Sequence, residues 1–225
     1  GIALDPPPTF KKTGALSLQN VDFLGDESAP VFLNVGGGSK AIPVSRYLSG
    51  WRHVLLDINP NTGAEVVLDA RNLVVLPKNQ FDAIYCSHNL EHYYHHDVRR
   101  VLDGFLHVLK DDGFVEIRVP DIGSLMPYVF EHQIGLHDIL YESGAGPITA
   151  HDILWGYGKE IEESGEDFYA HKTGFTRLTL IDALRNAGFA KILELRPIGL
   201  FELHVIAFTH DKGSRWSELF DGDLL

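Results

Sequence analysis

Val31-Phe-Leu-Asn-Val-Gly-Gly-Gly-Ser39 runs from unbroken apolar residues straight into three glycines, and that junction decides the fold. A short apolar run behind Pro30 suits a strand buried on both faces, as in a parallel sheet. The glycines carry no Cβ, so backbone N–H groups beyond the strand can face a ligand directly.

Outward from this junction, residues 42–48 read as a helix, with Pro43 in its first turn and Gly50 just past its end. Residues 54–57 and 66–69 make two further buried strands, each closing on an Asp, and residues 81–86 a fourth. An amphipathic helix over 97–110 carries Val98, Val101, Leu102, Phe105 and Leu109 on one stripe, and Asp112-Gly113 turns the chain into a strand at 114–119. No period is sustained across 121–174, which reads as helix fragments and loops; so long an irregular stretch is commonly a functional cover. A helix at 178–187 ends at Gly188, and strands at 192–195 and 203–208 lie close enough to form a hairpin. The order implies an α/β fold: a Rossmann-like, doubly wound seven-stranded sheet, mostly parallel with an antiparallel C-terminal strand. Residues 1–225 are expected to form a single domain, with 121–174 a substrate-covering insertion and 1–20, which contains Pro6-Pro7-Pro8, a loosely packed N-terminal lead.

Composition bounds the partners. With 44% hydrophobic and 22% charged residues in 225, the chain matches globular proteins and can bury its own core. A formal charge of −12 repels phosphate backbones and anionic bilayers, so neither nucleic acid nor membrane is an expected partner. Arg99-Arg100 reads as ordinary helix-surface charge. Cys86 is the single cysteine, which excludes an internal disulfide and a cysteine-based zinc site and fits a reducing cytoplasm. Residues 1–12 lack a secretory pattern, and the expected location is cytoplasmic.

Asp57 ends the strand after the glycine turn, 21 residues beyond Gly36, where a carboxylate can accept both hydroxyls of a ribose. A nicotinamide dinucleotide enzyme would use the same geometry. Against it, Ser39, Lys40 and Ala41 follow Gly36, Gly37 and Gly38, so the third glycine of that fingerprint is missing at its usual offset.

Taken together, Leu33-Asn-Val-Gly-Gly-Gly38, Leu56-Asp57, Asp69-Ala70, Phe81-Asp-Ala-Ile-Tyr85 and Leu109-Lys-Asp-Asp-Gly-Phe114 resemble, in order and spacing, the successive motifs of class I S-adenosylmethionine-dependent methyltransferases. Asn89-Leu-Glu-His92 resembles the stretch after strand four in small-molecule members, and Gly174-Phe-Thr176 with Asn186-Ala-Gly-Phe189 resembles their C-terminal part. The resemblance implies S-adenosylmethionine as cofactor and S-adenosylhomocysteine as product. It implies that Gly36, Gly37 and Gly38 lie against the methionine part, with Asn34 near its amino group, and that Asp57 holds the ribose, with Ile58 beside it among the cofactor contacts. It further implies that Asp69 and Ala70 meet the adenine edge and that Ser87, His88 and Asn89 lie near the sulfonium. The implied activity is methyl transfer (EC 2.1.1.-) to oxygen or nitrogen of a small molecule or polysaccharide precursor, from a protein that could form a homodimer. The family usually has an acid where Asn34 stands. That departure, with the lack of an unmistakable base, leaves open a non-catalytic protein that uses the nucleotide pocket for binding or regulation.

Methyl transfer asks little of side chains, since the sulfonium is already activated; a base matters only where the acceptor carries a proton. His92 and His171 are the candidate catalytic residues by position, the plain alternative being hydrogen-bonded or surface imidazoles. His88-x-x-Glu91-His92 has the spacing of an inverted zinc motif, and a related Glu-x-x-Glu-His arrangement binds a divalent metal in some methyltransferases. Here the segment follows a strand and His88 replaces the first Glu, so no metal is expected. Tyr93-Tyr-His-His96 reads as the half-exposed opening of a helix. Trp155, Tyr157, Phe168 and Tyr169 suit either a pocket or packing, and Met126 and Cys86 the core.

Overall fold

The computed structural model describes residues 29–144, 146–211 and 214–225. The expected N-terminal lead at 1–20 lies outside them. Strands β1 (Val31–Val35), β2 (Arg52–Asp57), β3 (Val66–Val67), β4 (Phe81–Ser87), β5 (Leu109–Pro120), β8 (Lys191–Glu194) and β9 (Glu202–Phe208) form one sheet in the order β3-β2-β1-β4-β5-β9-β8. Strands β1 to β5 pair in parallel, and β9 runs antiparallel to both β5 and β8. The expected seven-stranded, mostly parallel sheet is therefore present, with its antiparallel strand next to the edge.

All five residues of β1 are buried, which is why the strand reads as an apolar run without alternation. On one face, helices α1 (His95–Val108) and α5 (Arg177–Ala187) pack over Leu33, Val35, Ile84 and Ile117. α1 turns Val98, Val101, Leu102, Phe105 and Val108 inward, and α5 is started by a Thr176–Thr179 capping box and stopped by Gly188 at φ 115°. The other face is covered by turns: Leu48, Tyr47, Trp51, Trp216 and Phe220 close over Phe32, Tyr85, Phe114 and Phe208.

Several boundaries differ from the sequence reading. The helix expected at 42–48 does not form; only a 3₁₀ turn, Arg46–Leu48, is present. Ile42 precedes Pro43 and is biased away from helical backbone, and Ser45 at φ −56°, ψ 139° donates its hydroxyl to Glu116 at 2.6 Å instead of continuing a turn. Asp69 leaves β3 early to cap a 3₁₀ turn, Ala70–Val75, by accepting the Arg71 N–H at 2.9 Å. Leu109 and Lys110 belong to β5 rather than to the helix, because Leu109 pairs with Phe81.

The largest difference lies in 121–174. It contains α2 (Ile122–Glu131), a hairpin of β6 (Ile139–Ser143) and β7 (Gly146–Thr149), α3 (Ala150–Trp155) and α4 (Gly158–Ser164), around a small core of Leu125, Ala150 and Ile153. Met126, expected in the core, is 63% exposed on α2, while Cys86 is buried as expected. No helix among the described residues is long and apolar enough to cross a membrane.

Candidate functional site

The carboxyl ends of β1, β2 and β4 open onto a cleft of about 390 Å³. Parallel strands end here and their connections diverge, the usual place for a ligand in an open α/β sheet. Gly36 and Gly38 line the cleft, at φ 69° and 64°, in the left-handed region that an L side chain resists. A Cβ on Gly36 would stand 2.0 Å from the Asn89 amide, so that glycine also lets Asn89 reach the cleft. Asp57 clamps the turn: Oδ2 accepts the Gly38 N–H at 3.0 Å and Oδ1 the Asn59 N–H at 2.8 Å. Each oxygen keeps a second lone pair for a ligand hydroxyl.

Ile58 stands beside Asp57 on the cleft wall, 46% exposed and apolar. Farther along, Asp69 lines the cleft and is gripped by Arg71, whose guanidinium also reaches Asp97 at 3.1 Å. Of the residues singled out from sequence, Gly36, Gly38, Asp57, Ile58, Asp69, His88, Asn89 and His92 share this cleft. Asn34, Gly37, Ala70 and Ser87 do not line it. Asn34 is buried beneath the turn, with its Nδ2 3.1 Å from His53 Nε2, and a Cβ on Gly37 would fall against its side chain. Ala70 is fully buried in the core.

A second cleft, of about 440 Å³, lies between the insertion and the loop before β9. Tyr141, Ile148, Tyr157 and Phe201 contribute its walls, and His88, His92 and Tyr169 line both clefts. His171, the other catalytic candidate named from sequence, meets His92 here: the rings stack edge-on with centroids 4.9 Å apart. Trp155 faces outward instead, 48% exposed against His151.

The imidazoles of His92 and His171 are oriented by backbone. His92 Nδ1 donates to the Ala170 carbonyl at 3.2 Å and His171 Nδ1 to that of Ile153 at 2.9 Å, which leaves both Nε2 atoms as bare lone pairs. Burial lowers the pKa of His171 and outweighs the pull of Glu91, so the ring is neutral at pH 7. His88 has a left-handed backbone, φ 49°, and a 3.0 Å bond from Nε2 to Glu202. Burial opposes ionisation of Glu202, yet the bond and charge of His88, the Ile198 N–H and the Arg118 charge together outweigh it and hold this pKa at about 2.

The insertion is hooked to the site by the N–H groups of Lys172 and Thr173, which donate to the Glu91 carbonyl at 2.8 and 3.1 Å. Gly156 makes room for this return. At φ 98° and ψ 159° it occupies backbone space nearly closed to other residues, and a Cβ there would lie 2.5 Å from the Tyr169 carbonyl. Gly156→Ala is expected to cost about 1–3 kcal/mol from backbone strain alone. Urea denaturation of parent and variant measures it, and equal stability would mean the 169–171 segment has no fixed path.

Arg71, Asp97, Lys172 and Glu202 are cleft residues that the sequence reading missed. Arg71 carried a local signal, two residues after Asp69 and ahead of the acid in the first turn of α1. Lys172 and Glu202 carried none, since their neighbours in space are remote in sequence.

A family model described as a methyltransferase domain matches residues 12–194. Comparison of the sequence with curated proteins returns no match. Among solved structures, the fold is similar to a SAM-dependent methyltransferase from Archaeoglobus fulgidus, at 16% identity and TM-score 0.50, covering 80% of this chain and 86% of that one. It is also similar to a Pyrococcus horikoshii OT3 protein, at 12% identity and TM-score 0.53, covering 81% and 83%.

Proposed function

The chain belongs to the class I S-adenosylmethionine-dependent methyltransferase family, and we propose that it transfers the methyl group to oxygen or nitrogen of a small molecule or saccharide precursor. The observation that carries the reading is the meeting of two clefts at His88, His92 and Tyr169. A methyl donor and an acceptor must face each other in line across one carbon, and two pockets sharing a wall provide that.

In this reading the glycine turn with Asp57 and Ile58 holds S-adenosylmethionine, Asp69 lies at the adenine end, and His88 and Asn89 flank the sulfonium. Asn34 and Gly37 support the turn from below. Four carboxylates against Arg71 and Lys172 leave the lining with an excess of negative charge, centred on Asp57, that suits a cationic cofactor. The insertion over 121–174 covers the acceptor, whose proton leaves at the His92–His171 pair. A second cleft of about 440 Å³ with mainly apolar and aromatic walls falls within the size range of small-molecule sites. The charge of −12 argues against nucleic-acid acceptors.

Calorimetry with S-adenosylhomocysteine tests the donor side, with NAD as control; tight NAD binding and none of S-adenosylhomocysteine would overturn the reading. For the acceptor side, Tyr157→Ala is expected to lower turnover with an acceptor found by screening while leaving S-adenosylhomocysteine affinity within about threefold. Parental kinetics in a folded Tyr157→Ala variant would remove the second cleft from acceptor binding.

A further inference from the structure

The post-β4 turn places a carboxylate where it has no ordinary use. Glu91 is 1% exposed, and neither of its oxygens has a hydrogen-bond partner. The nearest proton-bearing group is His88 Nδ1 at 3.5 Å, and His88 is already bonded to Glu202 through its other nitrogen; the Nε2 lone pair of His171 stands 3.9 Å away on another side. One imidazole shared between Glu91 and Glu202 leaves the buried Glu91 carboxylate without a hydrogen bond, a costly state that a cation beside it would relieve.

Two further ligands converge on the same point. One donor atom from each of Glu91, His92 and His171 lies within 4.8 Å of the others. Both imidazoles give their Nδ1 protons to backbone carbonyls, the outer-shell arrangement that fixes a metal-binding histidine with its Nε2 lone pair forward. Glu91 in turn is held through its own carbonyl by Lys172 and Thr173, which ties the third ligand's segment to the first two. Around a first-row ion, ligand atoms stand roughly 3.3 Å apart, so a modest inward movement of these side chains completes the set.

We propose that Glu91, His92 and His171 form a binding site for a divalent first-row metal ion of the zinc or manganese type, at the junction of the two clefts. The inference rests on the acceptor-side reading above but reassigns the two Nε2 lone pairs from proton acceptance to the ion, which would favour loss of the acceptor's proton to solvent by polarising its oxygen or nitrogen. The sequence reading expected no metal because the segment follows a strand and His88 stands where the related motif has Glu; His171 arrives from 79 residues beyond His92. Two imidazoles and one carboxylate are a mixed set preferred by transition ions over magnesium or calcium. Three protein ligands leave a position open, and with His92 and His171 both lining the second cleft that position faces the acceptor. The ligand class it selects is an acceptor presenting an oxygen or nitrogen lone pair.

The test is calorimetric titration of tag-free, chelator-stripped protein with Zn²⁺ and with Mn²⁺. One equivalent of at least one ion is expected to bind, with affinity reduced at least tenfold in Glu91→Gln, His92→Ala and His171→Ala. The His95→Ala/His96→Ala double variant, altered at exposed histidines of α1, is expected to titrate like the parent. Substitution with Co²⁺ gives a second measurement on the parent itself, through visible d–d absorption of a nitrogen and oxygen ligand set. Absence of stoichiometric binding of all three ions to the parent, or undiminished binding in the three folded variants, overturns the proposal. Stripped protein that binds S-adenosylhomocysteine but no metal sinks this inference alone; metal binding without S-adenosylhomocysteine binding sinks the donor reading alone.

Discussion

Asp57→Ala is expected to weaken S-adenosylhomocysteine binding between tenfold and about a hundredfold. Hydrogen bonds to a charged group contribute about 1.5–3 kcal/mol, and the substitution removes them from the ribose. It also releases the N–H groups of Gly38 and Asn59, which the carboxylate holds at 3.0 and 2.8 Å, so the glycine turn loses its clamp as the ligand loses its partner. Asp57→Asn separates the two effects. Its remaining oxygen still accepts one backbone N–H while the charge is gone, and it should fall between parent and alanine. Isothermal calorimetry on folded variants decides, and parental affinity in Asp57→Ala would place ribose recognition elsewhere.

Glu116→Ala should be the most damaging substitution for stability. The side chain lies in the middle of β5, fully buried, and its Oε1 accepts from the Ser45 hydroxyl at 2.6 Å and His204 Nε2 at 2.8 Å, with Arg118 Nε at 3.2 Å. Removal leaves Arg118, only 12% exposed, as an uncompensated charge, a change that costs about 3–5 kcal/mol where buried pairs are broken. In a domain of this size the melting temperature should fall by roughly 6–20 °C. Asp103→Ala breaks an exposed pair with Arg99 and should cost less than about 1 kcal/mol. Scanning calorimetry measures both, and a Glu116→Ala melting point within a degree or two of the parent would show that the cluster carries no stability.

What was legible in the sequence follows from range. Val31–Val35, the stripe on α1 and the span and stop of α5 are set by neighbours within a turn or two, and each appeared at nearly its expected place. The glycine turn with Asp57 was readable because a strand end, a Cβ-free backbone and a carboxylate recur at a fixed offset. Residues 42–48 failed because Ser45 is drawn inward by Glu116, a partner 71 positions away. The insertion failed for a related reason: Leu125, Ala150 and Ile153 form a core too small to impose a period on any one segment. Glu202 reached the junction only by the pairing of β9 with β5, which no local pattern announces.

The missing helix after the glycine turn bears on which nucleotides the cleft can hold. A helix starting there would present several free N–H groups and about half a positive charge, the feature by which dinucleotide-binding proteins secure a pyrophosphate. In this chain the turn runs into Ser39 and Lys40 and then into non-helical backbone as far as Ser45, so no helix dipole from the glycine turn points at the ligand. A pyrophosphate would surrender its hydration there with little in return. A sulfonium loses nothing by the absence, since the positive end of a helix would repel it. Discrimination between the two cofactor chemistries is thus built into the backbone, through an omitted element, before any side chain is chosen.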